Sequence, residues 1–314
     1  MKHQRSPLVI KSFAKLNLYL QVLSKRKDNF HNLNTLFGRI DLADTIILKE
    51  REGNSIKIKC NSQQVPEDKT NLCWQAAALL KKEFKLKAGL EIEIKKRIPV
   101  GAGLGGGSSN AASVLLGLDR YWKLNLPKTK LLNLAAKLGS DVPFFICDTK
   151  FALGSNRGDK IKPLASLQQL KLWFILVYPK IKVSTPLIYQ KFDCFSRLTP
   201  HLVQIQSVKK LNKKQGAGLT KPRHDVKILT SELSKKGFRI KPEYLFNSLE
   251  AVTSGLYPVV NQVKNALYAM GLEKVIMSGS GPAVFAICSS LKQAQVMSRK
   301  LRKKYKSWQI FLSS

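Results

Sequence analysis

Residues 99–112 read PVGAGLGGGSSNAA, with five glycines in the seven positions from Gly101 to Gly107. A tight turn needs one or two such residues. Five remove the Cβ atoms from a whole loop, so that backbone N–H groups can close around an anion. The flanks restrict the fold further. Upstream, LEIEIKKRIPV alternates Leu90, Ile92 and Ile94 against Glu91, Glu93 and Lys95, a strand period. Downstream, Ala111, Leu115, Leu118 and Trp122 recur at helical spacing. The order is strand, glycine loop, helix. A helix starting there presents unpaired N–H groups and about half a positive charge. With Ser108, Ser109 or Asn110 near its cap, it forms an anion site whose hydroxyls can reach phosphate oxygens or a metal.

Three familiar glycine loops are tested by their surroundings. Gly101, Gly103 and Gly106 satisfy G-x-G-x-x-G, but a dinucleotide-binding unit needs a second strand ending in an acidic ribose ligand after the helix. Here KLNLPKTK and another helix follow. The nucleotide P-loop needs a lysine directly after its glycines, and none is present. Protein kinases need H-R-D and D-F-G, and the sequence contains neither triplet.

Along the rest of the chain, residues 8–23 read as an apolar strand. The runs DTIILKERE and SIKIKC, separated by Gly53 and Asn54, read as a hairpin. Residues 70–84 predict a helix through Leu72, Ala76, Leu79 and Leu80, and residues 128–138 another that stops at Gly139. A buried strand near 171–178 restarts the pattern. A polar, basic segment at about 206–224 reads as a loop or excursion. Helices over 242–252 and 258–270, a strand KVIMS, the turn GSGP, a strand AVFAICSS, a helix from Leu291 and a last strand WQIFL complete the chain. That order predicts a two-layer α+β unit of ferredoxin-like type. The expected division is 1–165 and 166–314.

The 314 residues carry a net charge of +34, mostly lysine spread along the whole chain. Such a field attracts polyanions and small phosphorylated substrates alike. A solvated lysine-rich surface accounts for it without an obligate nucleic-acid partner. No apolar run approaches the roughly 20 residues of a membrane helix. The five cysteines form no C-x-x-C, and the four histidines show no metal spacing, so neither a disulfide framework nor a protein metal cage is expected. The expected setting is cytoplasmic, as a monomer or weak homodimer.

The glycine stretch closely resembles the second motif of the galactokinase, homoserine kinase, mevalonate kinase and phosphomevalonate kinase (GHMP) superfamily. SFAKLNLYLQV resembles the first motif and VIMSGSGPAVFAI the third. AKLNLYL, NFHNLNTLF and KLGSDVPFF narrow the resemblance to the branch acting on 4-diphosphocytidyl-2-C-methyl-D-erythritol. It runs from about residue 8 to 290. It implies a ribosomal S5-like N-terminal domain that binds ATP and a ferredoxin-like C-terminal domain. Pro99, Val100, Gly101, Ala102, Gly103, Leu104, Gly105, Gly106, Gly107, Ser108 and Ser109 would wrap the ATP phosphates. Asn71 would lie on the nucleotide side, and Ser278, Gly279, Ser280 and Gly281 would form the third motif. Magnesium is implied as the companion of ATP, with Ser108 or Ser109 able to touch it.

A kinase acting on an alcohol must position the hydroxyl, help remove its proton and offset charge on the phosphoryl group. Asp141, in LGSDVPFF, is either the base or a helix cap before Pro143. Lys15 is a charge inside the apolar strand FAKLNLYL, either solvent-facing or a partner for that aspartate. The resemblance makes both catalytic, with Lys15 holding Asp141 ionised. Whether Asp141 removes the proton or orients the hydroxyl stays open at this level. The resemblance also puts Asn17, Phe30, His31 and Thr185 on the substrate side. Phe30 stands where many relatives have tyrosine, and Asn29 where a glycine is common. Asparagine tolerates the left-handed angles that such a turn needs. The other readings are a homoserine- or mevalonate-type kinase and a basic nucleic-acid-binding protein.

Overall fold

The computed structural model describes residues 6–198, 225–235 and 240–314. The basic segment at 206–224 lies outside them. Two long strands, β1 (Leu8–Lys25) and β2 (His31–Arg51), pair antiparallel, with register shifts at Phe13/Ala14, Asn17/Tyr19 and Val22/Lys25. Such shifts let a long ribbon bend. Residues 45–51 of β2 pair with β4 (Gly89–Lys95), and residues 35–38 with β5 (Phe151–Ser155). The sheet extends through β3 (Ile56–Cys60) outside β4 and β6 (Lys160–Pro163) outside β5.

The expected hairpin between DTIILKERE and SIKIKC does not form. Instead β4 lies between β2 and β3, antiparallel to the first and parallel to the second. Register explains the insertion. A two-residue turn at Gly53 and Asn54 would set Lys49 opposite Ile58 and Lys59 opposite Leu48, putting charges against apolar side chains. With β4 between them, Lys49 lies 3.2 Å from Glu93 and Lys59 lies 2.9 Å from Glu91.

One face of this sheet is covered by α1 (Leu72–Glu83), α2 (Gly106–Tyr121), α3 (Lys128–Leu138) and the short α4 (Val142–Ile146). Phe37, Ile46, Ile92, Leu115, Leu134 and Phe144 fill the space between. On the other face, Leu16, Leu18 and Ile40 share a core with Phe174, Leu176 and Phe285 of a second sheet. Strand alternation therefore turns Lys15 and Asn17 away from the inter-sheet core.

The second sheet contains β7 (Trp173–Tyr178) and is preceded in the chain by no strand beyond Pro163. After β7 come α5 (Thr185–Leu198), α6 (Val226–Leu233) and a two-residue strand, β8 (Phe246–Asn247). Helices α7 (Glu250–Leu256) and α8 (Val259–Tyr268) follow, then β9 (Val275–Met277), β10 (Val284–Cys288), α9 (Leu291–Lys304) and β11 (Gln309–Ser313). The order is β11-β7-β10-β9 with every neighbour antiparallel, the ferredoxin-like arrangement.

The helix expected over 242–252 is replaced in its first half. Pro242–Tyr244 forms a 3-10 turn, and β8 crosses to pair with Tyr19 and Leu20 of β1. Asn247 fixes this crossing. Its Nδ2 donates at 2.8 Å to both Met277 O and Gly279 O, and its Oδ1 accepts from Leu249 N. Among the described residues, no helix is long and apolar enough to cross a membrane.

Candidate active site

The glycine loop closes by alternation. Gly101, Gly103 and Gly105 have φ of +69°, +77° and +68°, while Ala102 and Leu104 between them are buried. The apolar residues anchor the loop, and the left-handed glycines turn its backbone outward. A side chain is excluded at one of these positions and tightly crowded at another. A Cβ on Gly103 would lie 2.2 Å from the Ser278 carbonyl oxygen, and one on Gly105 would lie 3.0 Å from Lys15 Cγ. The loop therefore packs directly on the first and third motifs.

Hydrogen bonds join the same three segments. Lys15 N donates to Leu104 O at 3.0 Å. Ser278 is fully buried; its Oγ donates to Gly103 O at 3.1 Å and accepts from Asn17 N at 3.3 Å. Gly105, in the left-handed conformation, is the N-cap of α2 and makes no side-chain cap bond. The cap is thus the last glycine of the alternation, and Ser108, Ser109 and Asn110 already lie in the helix.

The three segments line a cleft of about 880 Å³, which also includes Lys15, Asn17, Phe30, His31, Asn71, Asp141 and Thr185. Lys15 Nζ lies 3.4 Å from Asp141 Oδ2; the lysine side chain is 5 % exposed and the aspartate 33 %. Lys15 Nζ also donates to Asn17 Oδ1 and sits 5.6 Å from the centre of the Phe37 ring. Asp141 precedes α4 but makes no cap hydrogen bond, so its carboxylate is free for the lysine and the cleft.

Beyond this pair, His31 Nε2 meets Asp193 Oδ1 at 2.6 Å, and the His31 ring stacks on Tyr189 with centroids 5.0 Å apart. Burial raises the Tyr189 hydroxyl far above its usual range, with the Asp141 charge adding to the effect. It therefore stays protonated. Phe30 is 48 % exposed, with the Arg157 guanidinium 4.9 Å over its ring. Asn29 takes φ +64°, the left-handed angle expected of it.

One cleft thus gathers the glycine loop, the Phe30, His31 and Tyr189 rings and the lysine–aspartate pair in its lining. Comparisons with known proteins identify the family. The description "GHMP kinases N terminal domain" matches residues 71–149, and "GHMP kinases C terminal" matches residues 229–307. A curated protein of Acaryochloris marina named 4-diphosphocytidyl-2-C-methyl-D-erythritol kinase is 37% identical over 295 residues, covering 93% of this chain and 91% of that one.

The chain belongs to the GHMP kinase family. The Bacillus velezensis protein of the same name as the Acaryochloris one is 38% identical over 293 residues, covering 93% and 92%. A crystal structure titled 4-(cytidine 5'-diphospho)-2C-methyl-D-erythritol kinase superposes with a TM-score of 0.73 at 30% identity, covering 98% and 99%.

Within this GHMP kinase, some residues sit elsewhere than the sequence suggested. Ser109 is 1 % exposed and lies behind the cleft, where its Oγ accepts from Ser12 Oγ at 2.8 Å. It faces the sheet, away from the cleft; Ser108 is the loop serine on the cleft wall. Ser278 and Gly281 also lie behind the wall, while Gly279 and Ser280 line it. Thr185 Oγ1 shares a 2.7 Å hydrogen bond with Ser280 Oγ. Asn71 lines the cleft, but its side chain caps α1 through Cys73 N and donates to Pro66 O. Asn17 is similarly engaged, its Nδ2 donating to Thr35 Oγ1 at 2.8 Å.

Sequence reasoning missed Asp44, Lys96, Tyr189 and Asp193. Asp44 is fully buried and accepts from Lys96 Nζ, Arg97 N, Ile98 N and Asn110 Nδ2. It ties β2 to the strand end before the glycine loop and to the first turn of α2. An aspartate inside the apolar run ADTIIL was the available signal.

Proposed function

We propose that this kinase transfers the γ-phosphoryl group of ATP to the 2-hydroxyl of 4-diphosphocytidyl-2-C-methyl-D-erythritol, in the methylerythritol phosphate route to isoprenoids. The observation that carries the reading is the Lys15–Asp141 pair, 3.4 Å apart, in the cleft that the glycine loop and Phe30, His31 and Tyr189 also line. The names of relatives at 37–38% identity supply the substrate.

The residues fit ATP. Three left-handed glycines and the start of α2 offer backbone N–H groups and a helix dipole to its phosphates. Magnesium bound with ATP neutralises phosphate charge. Ser108 is the hydroxyl placed to touch it, and among the described residues no cluster of three or more His, Cys, Asp or Glu could cage a metal. Asp141 receives or orients the acceptor hydroxyl, and Lys15 offsets negative charge as the phosphoryl group passes in line, without a phosphoenzyme. Asn17, held between Lys15 and Thr35, keeps the lysine aimed. Phe30, His31 and Tyr189 receive the cytidine end, and Thr185 with Ser280 flanks the path between. The same reading makes this a cytoplasmic enzyme, monomeric or weakly dimeric, whose ATP-binding and ferredoxin-like domains divide at 165/166. It needs neither nucleic acid nor membrane.

The test is incubation of the purified protein with ATP, magnesium and the cytidyl substrate, beside homoserine and mevalonate. The expected result is phosphorylation of the cytidyl substrate alone. ATP binding without that product overturns the reading.

A further inference from the structure

Asp193 stands on α5, 162 residues from His31 in the chain. Its Oδ1 lies 2.6 Å from His31 Nε2 and its Oδ2 lies 2.6 Å from Lys25 Nζ. The His31 and Asp193 side chains are 5 % and 15 % exposed. Desolvation acts to raise the Asp193 carboxyl, but the bonds from Lys25 and His31 outweigh it and hold the group below its usual range. An ionised carboxylate only accepts, so Nε2 carries the ring proton. Nδ1 makes no hydrogen bond among the described residues, and the residue lines the cleft. Stacking on Tyr189 and the Asp193 anchor together fix the ring plane.

We infer that Asp193 is a positioning residue that sets the tautomer of His31, leaving Nδ1 as the acceptor offered to the substrate and so selecting an amino-bearing pyrimidine over an oxo-bearing one. This rests on the reading that a cytidine diphosphate end occupies this part of the cleft. In the neutral ring, the Nδ1 lone pair accepts from the 4-amino group of cytosine. The 4-oxo group of uracil would set lone pairs against it. Lys25 enforces the arrangement, because an ammonium has only donors and occupies the second carboxylate oxygen.

Asp193→Asn tests this with little change of shape. Lys25 claims the single amide oxygen, so the amide NH2 faces Nε2, which must then accept. The ring proton moves to Nδ1. Nitrogen-15 NMR of the full chain reads the tautomer, with the His31 signals assigned by their loss in His31→Gln. Affinities for CDP and UDP are measured on the same proteins. The expected wild type is protonated at Nε2 and prefers CDP. Asp193→Asn is protonated at Nδ1, and its CDP-over-UDP preference falls about tenfold. Adding Lys25→Ala frees the amide oxygen to turn back to Nε2 and restores both readouts.

If wild type binds CDP but Asp193→Asn, folded by circular dichroism, keeps the tautomer or the preference, the inference is overturned while the substrate reading stands. If wild type binds neither nucleotide, the substrate reading fails and takes the inference with it.

Discussion

Lys15 Nζ, on β1, lies 3.4 Å from Asp141 Oδ2, at the start of α4, and the lysine is fixed from a second side by Asn17 Oδ1. The two charges therefore act as a unit at the point where the phosphoryl group would transfer. Lys15→Ala and Asp141→Asn are each expected to lower kcat by about 10²–10⁴. The double variant should lose little more than the worse single, as happens when residues serve one step. Steady-state kinetics of the three variants checks this. Full additivity would mean that the residues work independently.

Gly103 separates a packing glycine from a permissive one. Its φ is +77°, and a Cβ there would lie 2.2 Å from the carbonyl oxygen of fully buried Ser278. That carbonyl has little room to retreat, because Asn247 holds Met277 O and Gly279 O on either side. The left-handed angle alone costs an alanine about 1–2 kcal/mol, before the clash is added. At Gly107 the nearest atom to a new Cβ is Leu72 Cδ1 at 3.8 Å, within a helix. Gly103→Ala should therefore destabilise the protein strongly in denaturant unfolding and weaken ATP binding. Gly107→Ala should be neutral in unfolding or gain up to about 1 kcal/mol. Equal losses would contradict the packing argument.

Elements carried by local pattern were readable. The strand, glycine loop and helix around residues 90–121 follow from period and composition, as do α3 with its stop at Gly139 and the strand order near β9 and β10. Tertiary partners were not readable. The β2–β3 hairpin failed because its tight turn would set Lys49 against Ile58 and Lys59 against Leu48, whereas β4 between the strands lets Leu48, Ile58 and Ile92 share one buried face. The helix expected from residue 242 yielded Phe246 and Asn247 to β1. In the site, Lys15 and Asp141 were found through motif resemblance, since nothing local ties residue 15 to residue 141. Asp193 carried no signal at all, because its meaning comes from His31 on another element. Ser109 was misplaced because adjacent helical residues point about 100° apart, which composition does not encode.

Ser108 and Ser109 give that last point a direct test. Ser108 lines the cleft, whereas Ser109 is 1 % exposed and bonded to Ser12. Ser108→Ala should raise the KM for ATP or lower kcat by about tenfold while leaving stability unchanged, the size of one lost hydrogen bond to a charged group. Ser109→Ala should leave the kinetics near wild type and cost about 1 kcal/mol in unfolding. The opposite pattern would place Ser109 on the phosphates.

The Asp44–Lys96 pair, whose lysine lines the cleft beside Gly106, should show a directional asymmetry. Asp44 is fully buried and accepts from four donors, Lys96 Nζ, Arg97 N, Ile98 N and Asn110 Nδ2. Lys96 has a 7 % exposed side chain, and among the described residues it reaches, besides Asp44, only Asn110 Oδ1, at 3.4 Å. Asp44→Asn sets an amide NH2 among four donors and leaves the ammonium buried without a counter-charge, a loss of about 3–5 kcal/mol. Lys96→Met removes one donor, but Arg97 N, Ile98 N and Asn110 Nδ2 still solvate the carboxylate. Denaturant unfolding should therefore rank Asp44→Asn as clearly more destabilising than Lys96→Met. Combining the two should recover part of the Asp44→Asn loss, since no buried ammonium is then left unpaired. If Lys96→Met proves the worse variant, backbone donors are not what holds the Asp44 charge, and the lysine is its main support.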